Sequence, residues 1–343
     1  MYSTDGRTVT FHTNGNQFAQ YLPVTTIRIA ALYISLPFMI LSAGKPLLWV
    51  EPADLQSRDL FYGSGGKEHE PTGPFAFLKE DPDGTNPKFD VRDSQGTKWK
   101  VKLGEEAGPE TVATRFVWAI GYFTNEDYFL PEIQIDGLPG KLKRGQKLRV
   151  GGNKFANVRL KRSGKGEKSE SYWKWKENPF NNTREFNGLR ALMAVLNNWD
   201  LKDSNNRINN DKEGNEVYLV KDLGASFGTD HLVKSHSVAK GNLISFDSSK
   251  FITKKNAQTV DFGTPGRPSL AFVANPHETF SRKDMEWIGN DVPVEDAKWM
   301  GNLLGQLTPV QIREAFRAGG YSPEDSEGFA RIVERRIAEL KSL

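Results

Sequence analysis

Three short segments between residues 75 and 104 alternate apolar and polar side chains, and two turn-rich reversals separate them. FAFLKE (75–80) runs into the loop DPDGTNP, KFDVRD (88–93) into the turn SQG, and TKWKVKLG (97–104) completes the set. Period-two alternation with short reversals predicts a three-stranded antiparallel meander. EEAGPETVATRFVWAIGYF (105–123) then sets Val112, Phe116 and Ile120 at helical spacing behind a run of acids. That is a helix with carboxylates at the positive end of its dipole. Further strands are predicted near 127–135, 148–151 and 157–162, an apolar helix over 186–199 and a hairpin over 207–221. An irregular stretch covers 225–280, and helices follow near 293–305, 308–318 and 323–341. Strands first and helices last describe an α+β chain in two parts. A length of 343 residues suits one large domain or two modest ones.

Composition removes several chemistries. The chain has no cysteine, so disulfides, thiolate metal sites and cysteine nucleophiles are out. The five histidines, His12, His69, His231, His236 and His277, fit no metal-ligand spacing, and HExxH does not occur. Net charge is only +3, but it is unevenly placed. Residues 141–168 hold eleven basic side chains and one acid, Glu167, so the rest of the chain is about seven charges negative. Such a block is either a solvated hairpin or the seat of an anionic partner. Nucleic acid is not the expected partner. The aromatic trio Trp173, Trp175 and Phe180 beside it is expected to pack rather than to stack bases.

The N-terminus reads as targeting. Ile29–Gly44 is sixteen residues without a charge, Arg28 precedes it, and Ser42-Ala43-Gly44 supplies small residues suited to cleavage. The run is short for a bilayer span and fits a signal peptide, or an N-terminal membrane anchor if uncleaved. The expected location is secreted, periplasmic or anchored in a cell envelope, with a cytoplasmic protein as the alternative. Residues 45–74, rich in Pro, Gly and charge, read as an extended arm. Their GSGGK lacks the spacing and the Ser or Thr of a phosphate loop.

Chemistry concentrates in two strings. WDLKDSNN (199–206) follows the apolar helix directly and separates Asp200 from Asn205 by four residues, with Lys202 between them. VYLVKDLGASFG (217–228) delivers Asp222 from an apolar strand, and Gly224 lets the backbone turn away. DLKDSN resembles the catalytic loop of protein kinases, and KDLG is similar to their metal-binding DFG segment. Lys102 on the third strand resembles the nucleotide-anchoring lysine, and Glu110 its ion-pair partner. The order of strands, helix, loop and hairpin covers roughly residues 75–228. In style it is similar to secreted and atypical members of the superfamily, CotH-like and HipA-like proteins among them.

The resemblance implies a two-lobed fold, with an antiparallel sheet and one helix over 75–166 and a mostly helical lobe over 167–343. It implies ATP and Mg²⁺ as cofactors and a hydroxyl-bearing acceptor, protein or small molecule. Asp200 would face the acceptor, Lys202 the transferred phosphate, and Asn205 and Asp222 the metal, while Lys102, Glu110 and Gly84 would hold the nucleotide. The chain departs from the pattern in four places. Trp199 replaces the arginine of HRD, no GxGxxG precedes Lys102, and Glu110 stands only eight positions after Lys102, so Glu106 competes for the partner role. There is no APE segment. A literal Asp261-Phe262-Gly263 is read as coincidence. Two function classes stay open: a phosphotransferase, or a non-catalytic envelope protein of the same fold that holds an anion through 141–168.

Overall fold

In the computed structural model, which describes residues 44–82, 86–164, 171–228, 240–264 and 284–343, the chain enters through β1 (Pro46–Leu47) and three short 3-10 turns. This arm is less detached than its composition implies. Leu48, Leu55 and Leu60 are core side chains, and β1 later pairs in parallel with a distant strand. The predicted meander forms as β2 (Phe75–Asp81), β3 (Lys88–Arg92) and β4 (Lys98–Leu103), followed by α1 (Ala107–Ala119). β5 (Asp127–Asp136), β6 (Arg149–Gly151) and β7 (Lys154–Arg162) complete a six-stranded sheet.

That sheet closes on itself. β4 pairs with both β3 and β7, while β2 pairs with both β3 and β5, so β2-β3-β4-β7-β5 form a ring. All the pairings are antiparallel except β2 with β5, which is parallel over two residue pairs. Closure leaves few free edges and sorts the alternating side chains into an inside and an outside. Phe89, Val91, Trp99, Val101, Leu103, Phe155 and Leu160 fill the interior core. The intervening residues, Lys88, Asp90, Lys100, Lys102, Arg159 and Lys161, therefore line one outer face, as the registers require.

A second core joins α1 to the helical remainder. α2 (Arg184–Val195) is N-capped by Thr183, whose hydroxyl accepts from the Phe186 amide. It stops at Val195, four residues short of the predicted Trp199, because Asn197 takes a left-handed backbone (φ 53°). That early stop frees Trp199 and Asp200 for the following loop. β8 (Arg207–Asn210) and β9 (Glu216–Leu219) make the predicted hairpin, with β1 on the outer side of β9.

The stretch read as irregular holds α3 (Leu243–Ser248), β10 (Ile252–Lys255) and β11 (Thr259–Phe262), and β11 also pairs with β12 (Val292–Pro293). Helices α4 (Val294–Leu304), α5 (Pro309–Ala318) and α6 (Pro323–Lys341) match their predicted spans closely. Phe227 ties the parts together. Its ring meets Phe116 of α1, Phe246 of α3, Phe316 of α5 and Phe329 of α6 at centroid distances of 5.1–6.4 Å. Trp173 and Trp175 are 2% exposed within this core, which removes them as a base-stacking platform.

The class is thus mixed α and β, with one closed sheet, two small sheets and six helices among the described residues. The apolar run ending at Gly44 lies, except for Gly44, outside the described residues, as do Gly84, Lys165 and Lys168 of the predicted sites. Among the described residues no helix is long and apolar enough to cross a membrane.

Candidate active site

Lys102 stands on the outer face of the ring, directly across from Lys88 on one side and Arg159 on the other. Three residues after β4 ends, Glu106 caps α1, and Glu110 follows one turn later on the same helix face. Both carboxylates turn back on the lysine. The Lys102 Nζ lies 2.8 Å from a Glu110 oxygen, 2.5 Å from Glu106 and 2.8 Å from Asp222, which arrives 120 residues later. At 2% exposure the ammonium is nearly sealed, so these three carboxylates replace its water. Burial works against its charge, but Glu110, Asp222 and Glu106 outweigh it and hold the lysine well above its ordinary value. Lys102 is a fixed cation here.

A second shell of ion pairs explains why Glu110 tolerates burial. Arg159 donates to its other oxygen at 2.8 Å and lies 3.8 Å from Asp127, which also faces Arg115 at 3.5 Å. Glu106 accepts from the Asn86 amide at 2.6 Å and from Lys240. Burial opposes the charge of Glu106, yet Lys102 and Lys240 pull its carboxyl below the usual range. Gly224 passes so close that a β-carbon there would stand 2.6 Å from the Glu106 Cβ. This close approach is the physical reason for glycine at that position.

Asp222 differs from its neighbours in being 47% exposed and in having a left-handed backbone (φ 53°), uncommon outside glycine. Surrounding bulk disfavours its charge, but Lys102, with help from Arg159 and Lys88, holds the carboxyl down at about 2. Stability drawn from Asp222 is therefore complete above pH 3.8 and lost as pH falls through about 2.

Asp127 has the opposite sign. Burial pushes it up to about 6 despite Arg159 and Arg115. Its folded state holds a proton more tightly than the unfolded chain, so stability is full below 3.8 and is lost as pH rises through about 6. In urea unfolding across that window, wild type is expected to lose on the order of 3 kcal/mol relative to Asp127→Asn. Parallel pH profiles would show that the carboxyl is already ionised at the acid end.

The loop after α2 is ordered by its own polar groups. The Asn198 side chain accepts from the Asp200 amide at 3.0 Å, and the Asn205 amide donates to the Asp200 carbonyl at 2.8 Å. Lys202 lies 2.7 Å from the Asp200 carboxylate and is half exposed. Asp203 accepts from the Trp175 amide at 2.9 Å, which anchors the loop to the core. This loop and the Asp222 segment run side by side: the Trp199 amide donates to the Ala225 carbonyl at 3.1 Å, and Phe227 to Leu196 at 2.8 Å. Lys240 links the loop to the start of α1, pairing with Glu106 and sitting 5.6 Å from the Trp199 ring centroid.

Lys102, Glu110 and Asp222 thus share one cluster, and Asp200, Lys202 and Asn205 share the adjacent loop. Asp261 stands elsewhere, in β11, with its carboxylate accepting from the Asp291 amide at 2.8 Å. Glu106 belongs to the cluster together with Glu110, so the two are partners of Lys102 rather than rivals. Arg159 belongs by sequence to the basic block of 141–168, yet it is 6% exposed inside the network. Only its register opposite Lys102 reveals this, and strand register between distant segments is not written in local pattern. Asp127 and Lys240 carried no sequence signal.

Oxygens of Glu106, Glu110 and Asp222 lie within 4.8 Å of one another, a spacing that a divalent cation can bridge where the Lys102 ammonium between them gives way. Carboxylate oxygens suit Mg²⁺, with Asp222 the most open of the three. No protein-family model matches the chain, and no curated protein or solved structure shows significant similarity to it.

Proposed function

We propose that this protein is an ATP- and Mg²⁺-dependent phosphotransferase of the protein-kinase-like superfamily, with the two-lobed fold of that group. The observation that carries the reading is Lys102, held at 2.8 Å by both Glu110 of α1 and Asp222 beside the Asp200 loop. Two remote stretches of sequence, 102–110 and the segment of Asp222, converge on one cation, in the arrangement expected for gripping and neutralising a phosphate chain. Lys102 would bind the phosphates, with Glu110 and Arg159 keeping it oriented. Asp222 and Asn205 would hold Mg²⁺, which supplies charge neutralisation at the phosphates when bound. Asp200 would accept the proton of the acceptor hydroxyl, and Lys202 would balance charge near it. The acceptor, whether protein hydroxyl or small molecule, is left to chemistry that these residues do not specify. An envelope location, with the membrane reached through residues 1–44, belongs to the same proposal.

One observation favours the second reading, a non-catalytic binder. The outer sheet face next to Lys102 is ionic, with Lys100 paired to Asp81 and, at 3.1 Å, to Asp90. A purine would find no apolar wall there.

Thermal shift with Mg²⁺ and ATP separates the readings. The phosphotransferase should gain stability with rising nucleotide and lose that gain in Lys102→Met. Glu106→Gln is the sharper variant. Its carboxylate occupies the ammonium that a phosphate needs, so neutralising it should tighten nucleotide binding about tenfold, some 1.4 kcal/mol. Weaker binding in Glu106→Gln would make Glu106 a metal ligand instead, and no shift in wild type would favour the binder.

A further inference from the structure

A cleft of about 800 Å³ opens where the β3–β4 turn, the end of β7 and the hairpin β8–β9 meet. Five cations line it: Arg92 and Lys98 from the turn, Lys161 and Arg162 from β7, and Lys221 just before Asp222. Among the described residues its one carboxylate, Glu126, is already engaged, 3.0 Å from the His69 ring and 3.5 Å from Arg162. Among them Leu219 alone offers an apolar side chain to the cavity.

We propose that this cleft binds a small molecule carrying two or more phosphate groups. Like-charged side chains around a recessed volume focus potential far more than the same charges on a flat face. The cleft has the size of a small-molecule pocket, but the side chains around it are mainly charged and polar where those of a usual pocket are apolar. Wall chemistry therefore selects a ligand that is charged over most of its surface and disfavours a stacked base. Arginine forks match phosphate oxygens in pairs, and the lysines add point charges around them.

The site draws on only part of the basic block. Lys161 and Arg162 belong to that block, whereas Arg92, Lys98 and Lys221 come from elsewhere in the chain. Lys141, Lys143, Lys147 and Lys154 are not part of its lining. Arg92 and Lys98 are exposed, and Arg92 donates to the Gly96 carbonyl at 3.0 Å, which fixes the turn without using up the guanidinium. The proposal does not rest on the nucleotide reading, because none of its residues touches Lys102.

Calorimetry on the full chain tests it, with inorganic tripolyphosphate as the probe and orthophosphate as the single-phosphate comparison. Tripolyphosphate is expected to bind at least tenfold tighter than orthophosphate, and to weaken steeply from low to high salt. The pair Arg92→Ala and Lys98→Ala, on an exposed turn, should cut that affinity about tenfold or more while leaving the melting midpoint in place. Lys98→Glu should do so alone. Two results would overturn the site: no tripolyphosphate binding by wild type, or binding that survives both turn variants and vanishes in Lys102→Met. The second result would move the anion to the Lys102 cluster and leave the nucleotide reading standing.

Discussion

Asp200→Ala is expected to lower phosphoryl transfer by about a thousandfold or more, while Mg²⁺-nucleotide affinity stays within about twofold of wild type. The separation follows from how the loop is built. The side chains of Asn198 and Asn205 hold residue 200 in place through its backbone amide and carbonyl, neither of which an alanine changes. Lys202 loses its 2.7 Å partner but is half exposed, so water can replace the carboxylate without unfolding the loop. Asp222→Ala should behave differently, abolishing the Mg²⁺ dependence of nucleotide binding, because it removes the most open carboxylate of the cluster. Asp261→Ala is the control. Its carboxylate serves the Asp291 amide in a separate hairpin and should leave binding unchanged. Loss of metal-dependent binding in Asp261→Ala, with Asp222→Ala intact, would mean that the metal segment has been misplaced.

The two halves of this cluster were unequally legible before the structure. Alternation in TKWKVKLG puts Lys102 opposite to Trp99, Val101 and Leu103, so a lysine on the polar face of a half-buried strand could be seen directly. Glu106 and Glu110 stand one helical turn apart, and this too is local information. Nothing local says that β4 also pairs with β7, yet that pairing places Arg159 across from Lys102 and turns a charge in a basic run into a buried structural group. Ring closure is a product of non-local registers, and charges in an alternating strand look solvated until the other face is known. Helix α2 ends early for a related reason. Asn197 could equally continue an amphipathic pattern or take a left-handed cap, and the choice is set by contacts such as its 2.6 Å bond to Thr264. The left-handed backbone at Asp222 had no signal either. Aspartate tolerates that region without demanding it.

Arg336→Met should destabilise the fold by on the order of 3–5 kcal/mol, the largest stability effect expected of a single substitution here. Arg336 lies in α6 at 1% exposure with no carboxylate on its guanidinium. It instead donates to the carbonyls of Ala194 and Val195 at 3.0 and 3.1 Å, and to those of Phe246 and Ser249 at 3.2 and 3.5 Å. Those groups are the open ends of α2 and α3, so one side chain caps two helices and places its charge where both dipoles are negative. The guanidinium also lies 4.1 Å from the Phe246 ring centroid. Burial pulls its value down to about 9, which shows what keeping this cation inside costs. Methionine fills similar volume but takes a donor from each carbonyl; Ala194 keeps the Asn197 amide and Phe246 the Ser249 hydroxyl, so the Val195 and Ser249 carbonyls bear the loss, each costing about 1–3 kcal/mol. Lysine should rescue little, since one ammonium cannot fork between two helix ends. Urea midpoints of the three proteins check this. Near-equal stability of wild type and Arg336→Met would mean that water enters and caps the carbonyls. Because α2 ends just before Asp200, the same capping also sets where the candidate catalytic loop begins. A variant that still folds should therefore lose transfer activity in step with its lost stability.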